Sequence, residues 1–270
     1  MKSLPMTSIL VPVFNNLTIL EYMIRSIIRH TGTLPYEIIL VDNHSTEEGC
    51  EAILERLSAL EQVTLIRNPC NLGFGKANNQ ALAISQGEVI VLLNSDMFVN
   101  QRWLLPLMRR LYHHPDCGAV QGKIILPKER HTPEGWTTQT VGSCFDEQGF
   151  PQYQLANVPR EDSLVNQPMR LQAFMGTGVA IKRSVIEQVG FFDESYDLVF
   201  LEDTDLSLRI SQAGYEIWYE PMAEFFHLHS ASMPHLSKEE YDRSRQSNIN
   251  LFQKKWPTPL IQEILQRQGW

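Results

Sequence analysis

Apolar residues in this chain fall into short unbroken runs separated by stretches of helical spacing. Residues 8–14 form the first run, which stops at Asn15-Asn16, and Leu20, Ile24, Ile27 and Ile28 then recur along one helical face. The cycle repeats: a run at 37–41 precedes a predicted helix at 47–60, a run at 63–66 precedes one at 76–85, and 88–93 is a fourth strand. An alternating strand is half wet, whereas an unbroken apolar strand is covered on both faces. The pattern therefore predicts an α/β fold, a Rossmann-like, mostly parallel central sheet with helices on both faces and right-handed crossovers. Residues 103–112 read as a further helix and 119–125 as a further strand.

The alternation then breaks down. Residues 128–168 show several prolines and no period, which marks a long excursion, read as a flexible lid or an acceptor platform. The remainder is mixed: a strand at 173–181, a short helix at 184–189, a helix at 203–212 ended by Gly214, and a strand at 215–219. A helix at 238–256 closed by Pro257 follows, and another at 260–267. One continuous catalytic domain is expected, with a first half over 1–126, a mixed second half over 127–235 and a helical segment over 236–270.

In doubly wound sheets ligands bind beyond the carboxyl ends of the parallel strands. Those ends are polar here, in Asn15-Asn16, in 42–46, in Arg67-Asn68 and in Asn94-Ser95-Asp96. Bulk composition narrows the partners. A formal net charge of -8 argues against nucleic acid. The four cysteines form no C-x-x-C pair, which suggests neither a zinc knuckle nor a disulfide framework and fits the reduced thiols of a cytosol. No apolar run approaches the roughly 20 residues that span a bilayer, and residues 1–7 lack the apolar stretch of a signal peptide. The expected location is cytoplasmic or peripheral at the cytoplasmic membrane face, for which Lys254-Lys255-Trp256 is too short a basic aromatic cluster to serve as proof.

Four motifs stand in order at strand ends: V-P-V-F-N (11–15), V-D-N-H-S-T (41–46), N-x-x-N-L-G-F-G-K-A-N-N (68–79) and L-L-N-S-D (92–96). The second half adds G-T-G-V-A-I-K-R-S-V (176–185), V-G-F-F-D-E (189–194), E-D-T-D-L-S-L-R (202–209) and H-L-H-S-A-S (227–232). Together they resemble the family 2 glycosyltransferases of the GT-A fold over residues 7–256, with rhamnosyltransferases among the implied relatives. The resemblance implies an inverting, metal-dependent transferase that moves a sugar from a nucleoside diphosphate sugar to a hydroxyl acceptor in polysaccharide or glycoconjugate synthesis. It implies a UDP- or dTDP-sugar donor and a saccharide or lipid-linked acceptor. The first half would bind the nucleotide and the second the acceptor. A nucleotidyltransferase is the competing enzyme, though 11–16 contains neither glycine nor lysine for a triphosphate loop; a catalytically silent nucleotide-sugar binder is the competing non-enzyme.

Residue by residue, the resemblance assigns the nucleotide to Pro12, Val13, Phe14, Asn15, Asp42, Asn43, Asn71, Gly73, Lys76, Asn79, Asn94 and Ser95. Asp42 would meet the base, where a carboxylate suits a pyrimidine N–H, although Asp42 and Asn43 also suit a turn or cap. Asp96 matches the last acid of a D-x-D motif that holds Mn²⁺ or Mg²⁺ against the diphosphate. Asn94 replaces the first acid, leaving one carboxylate fewer. His227 would complete the metal site and His229 would contact phosphate. Two histidines with no cysteine nearby do not make a zinc site. Asp203 would be the general base, with Glu202 beside it, at a helix start that favours an ionised carboxylate and equally suits a cap. Gly176, Thr177 and Gly178 would stand near the sugar or form a packed strand. Arg245, one face with Asn248, would border the acceptor or diphosphate or pack the helix. Asp205 and Arg209, four apart, read as an ordinary surface pair.

Overall fold

The computed structural model of the chain describes residues 4–126, 135–228 and 237–270. The first half alternates as the pattern requires: β1 (Thr7–Val13), α1 (Leu17–Thr31), β2 (Tyr36–Asp42), α2 (Cys50–Ser58), β3 (Val63–Arg67), α3 (Phe74–Ile84) and β4 (Val89–Leu92). Three elements follow, β5 (Met97–Val99), α4 (Leu104–His113) and β6 (Cys117–Leu126). β1 pairs in parallel with both β2 and β4, and β2 with β3, so four carboxyl ends share one edge. Successive strand residues serve opposite faces. Ile9, Val11, Ile38, Leu40, Val89 and Val91 pack with α1, α2 and α4, while Leu10, Ile39, Val41, Ile90 and Leu92 pack with α3 and the later helices. That division is why these strands read as unbroken apolar runs.

The second half contributes β7 (Thr137–Thr140), β8 (Ser143–Phe145), β9 (Pro151–Tyr153), β10 (Met169–Leu171), β11 (Val179–Lys182), α5 (Arg183–Val189), α6 (Glu202–Gln212), β12 (Glu216–His227), α7 (Lys238–Lys255) and α8 (Thr258–Arg267). The main sheet runs β10-β12-β6-β11-β4-β1-β2-β3, with β5 on β12 and β7 on β6, and β8 and β9 form a separate hairpin. β6 and β12 are parallel, and β11 is antiparallel to both its neighbours. The central sheet is mostly parallel, as expected, and each antiparallel pairing among the described residues involves a strand from β7 onward.

Several expectations are corrected. The strand expected at 173–181 exists only as β11, because Gly178 turns the backbone left-handed at φ 64 and leaves 174–178 as a loop across the strand ends. β12 runs past the expected 219, since its register shifts between Glu220 and Glu224 and that irregularity accommodates Pro221. Residues 127–134 of the excursion lie outside the described residues; from 135 on it is built into the fold rather than hung from it. Buried Lys123 on β6 donates to Asn166 Oδ1 at 2.5 Å, and Arg160 meets Glu224 at 2.7 Å. In the segment Lys254-Lys255-Trp256, Trp256 is buried and Lys255 Nζ lies 2.7 Å from both Asp193 and Asp205. Among the described residues no helix is long and apolar enough to cross a membrane.

Asp205 is not a surface residue either; its side chain is wholly buried. It accepts from Arg209 Nε at 2.8 Å and Trp256 Nε1 at 2.8 Å, with the Lys255 ammonium beside it, and Arg209 in turn donates to the carbonyls of Val189, Gly190 and Phe191. The carboxylate thus ties α6, α7 and the turn after α5. A second tie is Asn248 on α7, 0% exposed, which accepts from Asp197 N–H at 2.8 Å and donates to the carbonyls of Asp197, Val199 and Phe200 at 2.8–3.1 Å. It satisfies the loop 197–201, where Phe200 (φ 92) and Leu201 (φ 73) are successive left-handed residues with side chains.

Removing Asp205 strands several buried donors, so Asp205→Ala should lower stability by about 3–5 kcal/mol in urea titration. Asn248→Ala leaves loop groups without partners and should cost about 2–3 kcal/mol, with new proteolytic cleavage within 197–201 as its local signature.

Candidate active site

The carboxyl edge of β1, β2 and β4 forms one wall of a cleft of about 470 Å³, within the range of small-ligand sites. Its loops are laced to one another. The N–H of Asn15 donates to Ser45 Oγ and Thr46 N–H to Asn15 Oδ1, both at 2.8 Å, and Asn43 N–H reaches Val13 O at 2.8 Å. Asn43 Nδ2 donates to Gly73 O at 3.2 Å, and Asn71 Oδ1 accepts from Gly73 N–H at 3.0 Å. Gly73 is needed here, because a Cβ on it would stand 2.7 Å from Leu198 Cα. This contact, with the hydrogen bond from Phe74 N–H to Leu198 O at 2.9 Å, presses the loop before α6 against the loop before α3.

The opposite wall holds the acids. Glu202 and Asp203 open α6, and Asp203 Oδ2 accepts from Gly176 N–H at 2.7 Å while Oδ1 accepts from Thr204 N–H at 2.7 Å. Burial raises the Asp203 pKa, and those N–H groups oppose the rise by favouring the anion. Glu202, 8% exposed, has an Oε2 with no hydrogen-bond partner among the described residues. Burial, and next the charge of Asp203, push its pKa up to about 8. The two N–H groups favour the Asp203 anion, whereas burial and the Asp203 charge favour the protonated form of Glu202.

Asp96 and His227 are brought together by the three-residue strand β5. Met97 pairs with His227 in antiparallel register, and Leu228 N–H donates to Asp96 O at 3.1 Å. Asp96 Oδ1 then lies 3.1 Å from His227 Nε2, and His227 Nδ1 lies 2.6 Å from Gln139 Oε1. Both side chains are nearly buried. No group of three or more His, Cys, Asp or Glu poised for a metal occurs among the described residues. A carboxylate and an imidazole facing one cleft nonetheless suit a divalent ion that takes its other ligands from a bound diphosphate.

The cleft gathers Pro12, Val13, Phe14, Asn43, Asn71, Gly73, Asn94, Ser95, Asp96, Gly176, Thr177, Glu202, Asp203 and His227 from the expected set. Others stand outside its wall. Asn15 is spent on the loop lacing. Asp42 is 1% exposed beneath it, accepting from Ser45 N–H at 2.9 Å, with Arg67 Nε 3.6 Å from its Oδ2. Lys76 lies along α3, and Asn79 binds the backbone of Phe192 and the carboxylate of Glu194. Gly178 shapes the loop before β11, and its carbonyl accepts from Gln121 at 3.0 Å. Arg245 is exposed, its guanidinium 4.9 Å from the Phe200 ring centroid. His229 lies outside the described residues. The sequence reading omits Phe74, Gln139, Tyr153, Met175, Leu198, Val199 and Tyr241, all in the cleft wall. Phe74 lies within the 68–79 motif, whose segment from Asn71 to Asn79 the resemblance sets along the nucleoside pocket, and Tyr241 stands one residue past the Ser237–Glu240 capping box that starts α7.

Over 72% of its length the chain is 26% identical to the N-acetylglucosaminyl-diphospho-decaprenol L-rhamnosyltransferase of Mycobacterium tuberculosis, covering 66% of that protein. Other curated relatives are larger still, and the chain spans 18–50% of their length. Its fold matches GalNAc-T7 solved with UDP, GalNAc and Mn²⁺ (TM-score 0.69, 20% identity, 84% of this chain and 44% of that one). It also matches a mannosyltransferase of Pyrobaculum calidifontis solved with GDP-Man and Mn²⁺ (TM-score 0.60, 19% identity, 86% and 59%). Both likenesses identify the fold as GT-A. The sequence model of glycosyl transferase family 2 matches residues 8–190, and the chain belongs to that family.

Proposed function

We propose that the chain transfers one sugar, with inversion, from a UDP- or dTDP-sugar to a hydroxyl of a saccharide or lipid-linked acceptor during polysaccharide or glycoconjugate synthesis. The observation that carries this reading is a cleft in which Asp203, its anion supported by two N–H groups, shares one space with Asp96 and His227. Asp203 takes the proton of the attacking hydroxyl, and the acceptor oxygen bonds to the anomeric carbon as the diphosphate leaves from the other face. Orienting two substrates in one cleft contributes on the order of 7–11 kcal/mol to such a reaction.

Mn²⁺ or Mg²⁺, held by Asp96 and His227, would neutralise charge on the departing diphosphate. The Mn²⁺ present with both structural neighbours supports that assignment, and Asn94 in place of an acid argues that the ion binds weakly without its nucleotide. Asp42 is the carboxylate we assign to the N–H of a uracil or thymine ring; its Oδ2 is buried beneath the cleft wall with Arg67 Nε 3.6 Å away, so the base has to reach it past that ion pair. The rhamnosyltransferase relative supports a deoxyhexose donor and a lipid diphosphate acceptor met at the membrane surface.

A screen of nucleoside diphosphate sugars with Mn²⁺ or Mg²⁺, recording binding and slow donor hydrolysis, tests the reading without a known acceptor. One donor should bind selectively and be hydrolysed only with metal, and Asp203→Asn should reduce turnover by about 10²-fold or more. Binding to no donor would remove the transferase reading, and binding without turnover even when acceptors are supplied would favour a silent binder. The raised pKa of Glu202 has a separate consequence. A folded state that holds a proton more tightly than the unfolded chain gains stability in full below about 4.5 and loses it as pH rises through about 8. Thermal stability should therefore decline across that window in the wild type and decline less in Glu202→Gln; equal slopes would refute the buried, protonated Glu202.

A further inference from the structure

The excursion after β6 delivers Gln139 and Tyr153 to the cleft, and neither the motifs nor the proposed chemistry uses them. β7 takes over the edge of β6 beyond β11, so Ile125 of β6 pairs with Thr138 on one side and with Phe226 of β12 on the other. That register sets Gln139 and His227 across β6 from one another. Gln139 is 7% exposed, and its Oε1 stands 2.6 Å from His227 Nδ1.

A carbonyl oxygen offers only lone pairs, so the ring nitrogen facing it at this distance bears the hydrogen. The other nitrogen, Nε2, then directs its lone pair toward Asp96 Oδ1, 3.1 Å away, and a carboxylate oxygen is also an acceptor. A divalent cation between them would be held by both, whereas without one a second ring hydrogen can bridge the same pair. The opposite tautomer would behave differently: Nε2–H would donate to Asp96, and the ring's lone pair would sit on Nδ1, facing Gln139 and away from any cation beside Asp96.

We infer that Gln139 is the positioning residue of this centre: by accepting the Nδ1 hydrogen it holds His227 in the tautomer and orientation that make Nε2, with Asp96, a divalent-cation pair. The inference rests on the metal-binding reading above and adds the residue that enforces it. It also gives the insertion a function, since β7 presents the amide from a paired strand. Such partners of metal-ligating histidines commonly alter metal affinity by about 10–100-fold.

The test uses the full chain with UDP and Mn²⁺, measuring Mn²⁺ affinity by electron paramagnetic resonance. Gln139→Met, close in length but without an acceptor, should weaken Mn²⁺ binding by about 10–100-fold, and Gln139→Glu, a permanent acceptor, should bind at least as tightly as wild type. A Met variant within twofold of wild type, or a Glu variant as weak as the Met variant, overturns the inference. Wild type that binds no Mn²⁺ overturns the metal reading and this inference together, whereas wild-type binding with an unaffected Met variant overturns this inference alone. Imidazole ¹⁵N spectra of the metal-free wild type, followed over pH, give a readout that does not depend on the variants folding: where the ring is neutral His227 should carry its hydrogen on Nδ1, and a neutral ring with its hydrogen on Nε2 overturns the proposal.

Discussion

The second wall of the cleft depends on a backbone that would not hold its shape unaided. Phe200 and Leu201 both occupy the left-handed region, which side chains other than glycine rarely adopt, immediately before the two acids that open α6. Asn248 makes this reversal tolerable by partnering one N–H and three carbonyls of the loop from a helix far along the chain. Once the reversal is fixed, Gly176 N–H meets Asp203, Leu198 backs onto Gly73, and the loops before α3 and α6 share one boundary. Asp205 does for the helices what Asn248 does for the loop, gathering cationic groups and an indole around one buried carboxylate. The geometry of the acids is therefore set by side chains on α7 that touch neither of them.

The first half of the fold was legible because strands covered on both faces leave unbroken apolar runs, and the helices between them keep a clear 3.6-residue period. Strands of three residues, such as β5, β8, β9 and β10, are too short to show any period, yet β5 is what joins Asp96 to His227. Asp205 and Arg209 were misread because an acid and a base four apart look the same whether water or a tryptophan covers them. Gly176-Thr177-Gly178 was read as part of a strand because its flanks are apolar; the left-handed turn at Gly178 is a tertiary requirement of the close approach to Phe225. Gln139 lies in a Thr-rich stretch without alternation, and nothing local marks it as facing a histidine 88 positions away.

The two walls are built by different means. Around the strand ends, short polar side chains hydrogen-bond the backbone of neighbouring loops, so the surface offered to a ligand is fixed by many small local ties. Across the cleft, the surface comes from an insertion, a glycine loop and the starts of two helices, held by a few long-range polar contacts. The first arrangement is recoverable from motifs, and the second is recoverable only from the folded chain.

The strand order also bears on how the chain is made. β6 lies between β11 and β12, and β4 between β11 and β1, so the centre of the sheet joins segments far apart in sequence. While the polypeptide emerges from the ribosome, β4 and β6 each expose an unpaired apolar edge until residues 179–182 arrive, and β6 keeps its other edge open until β12 follows. Such edges are templates for association with other chains. The interval between synthesis of residue 126 and of residue 227 is therefore when the nascent chain most needs a chaperone.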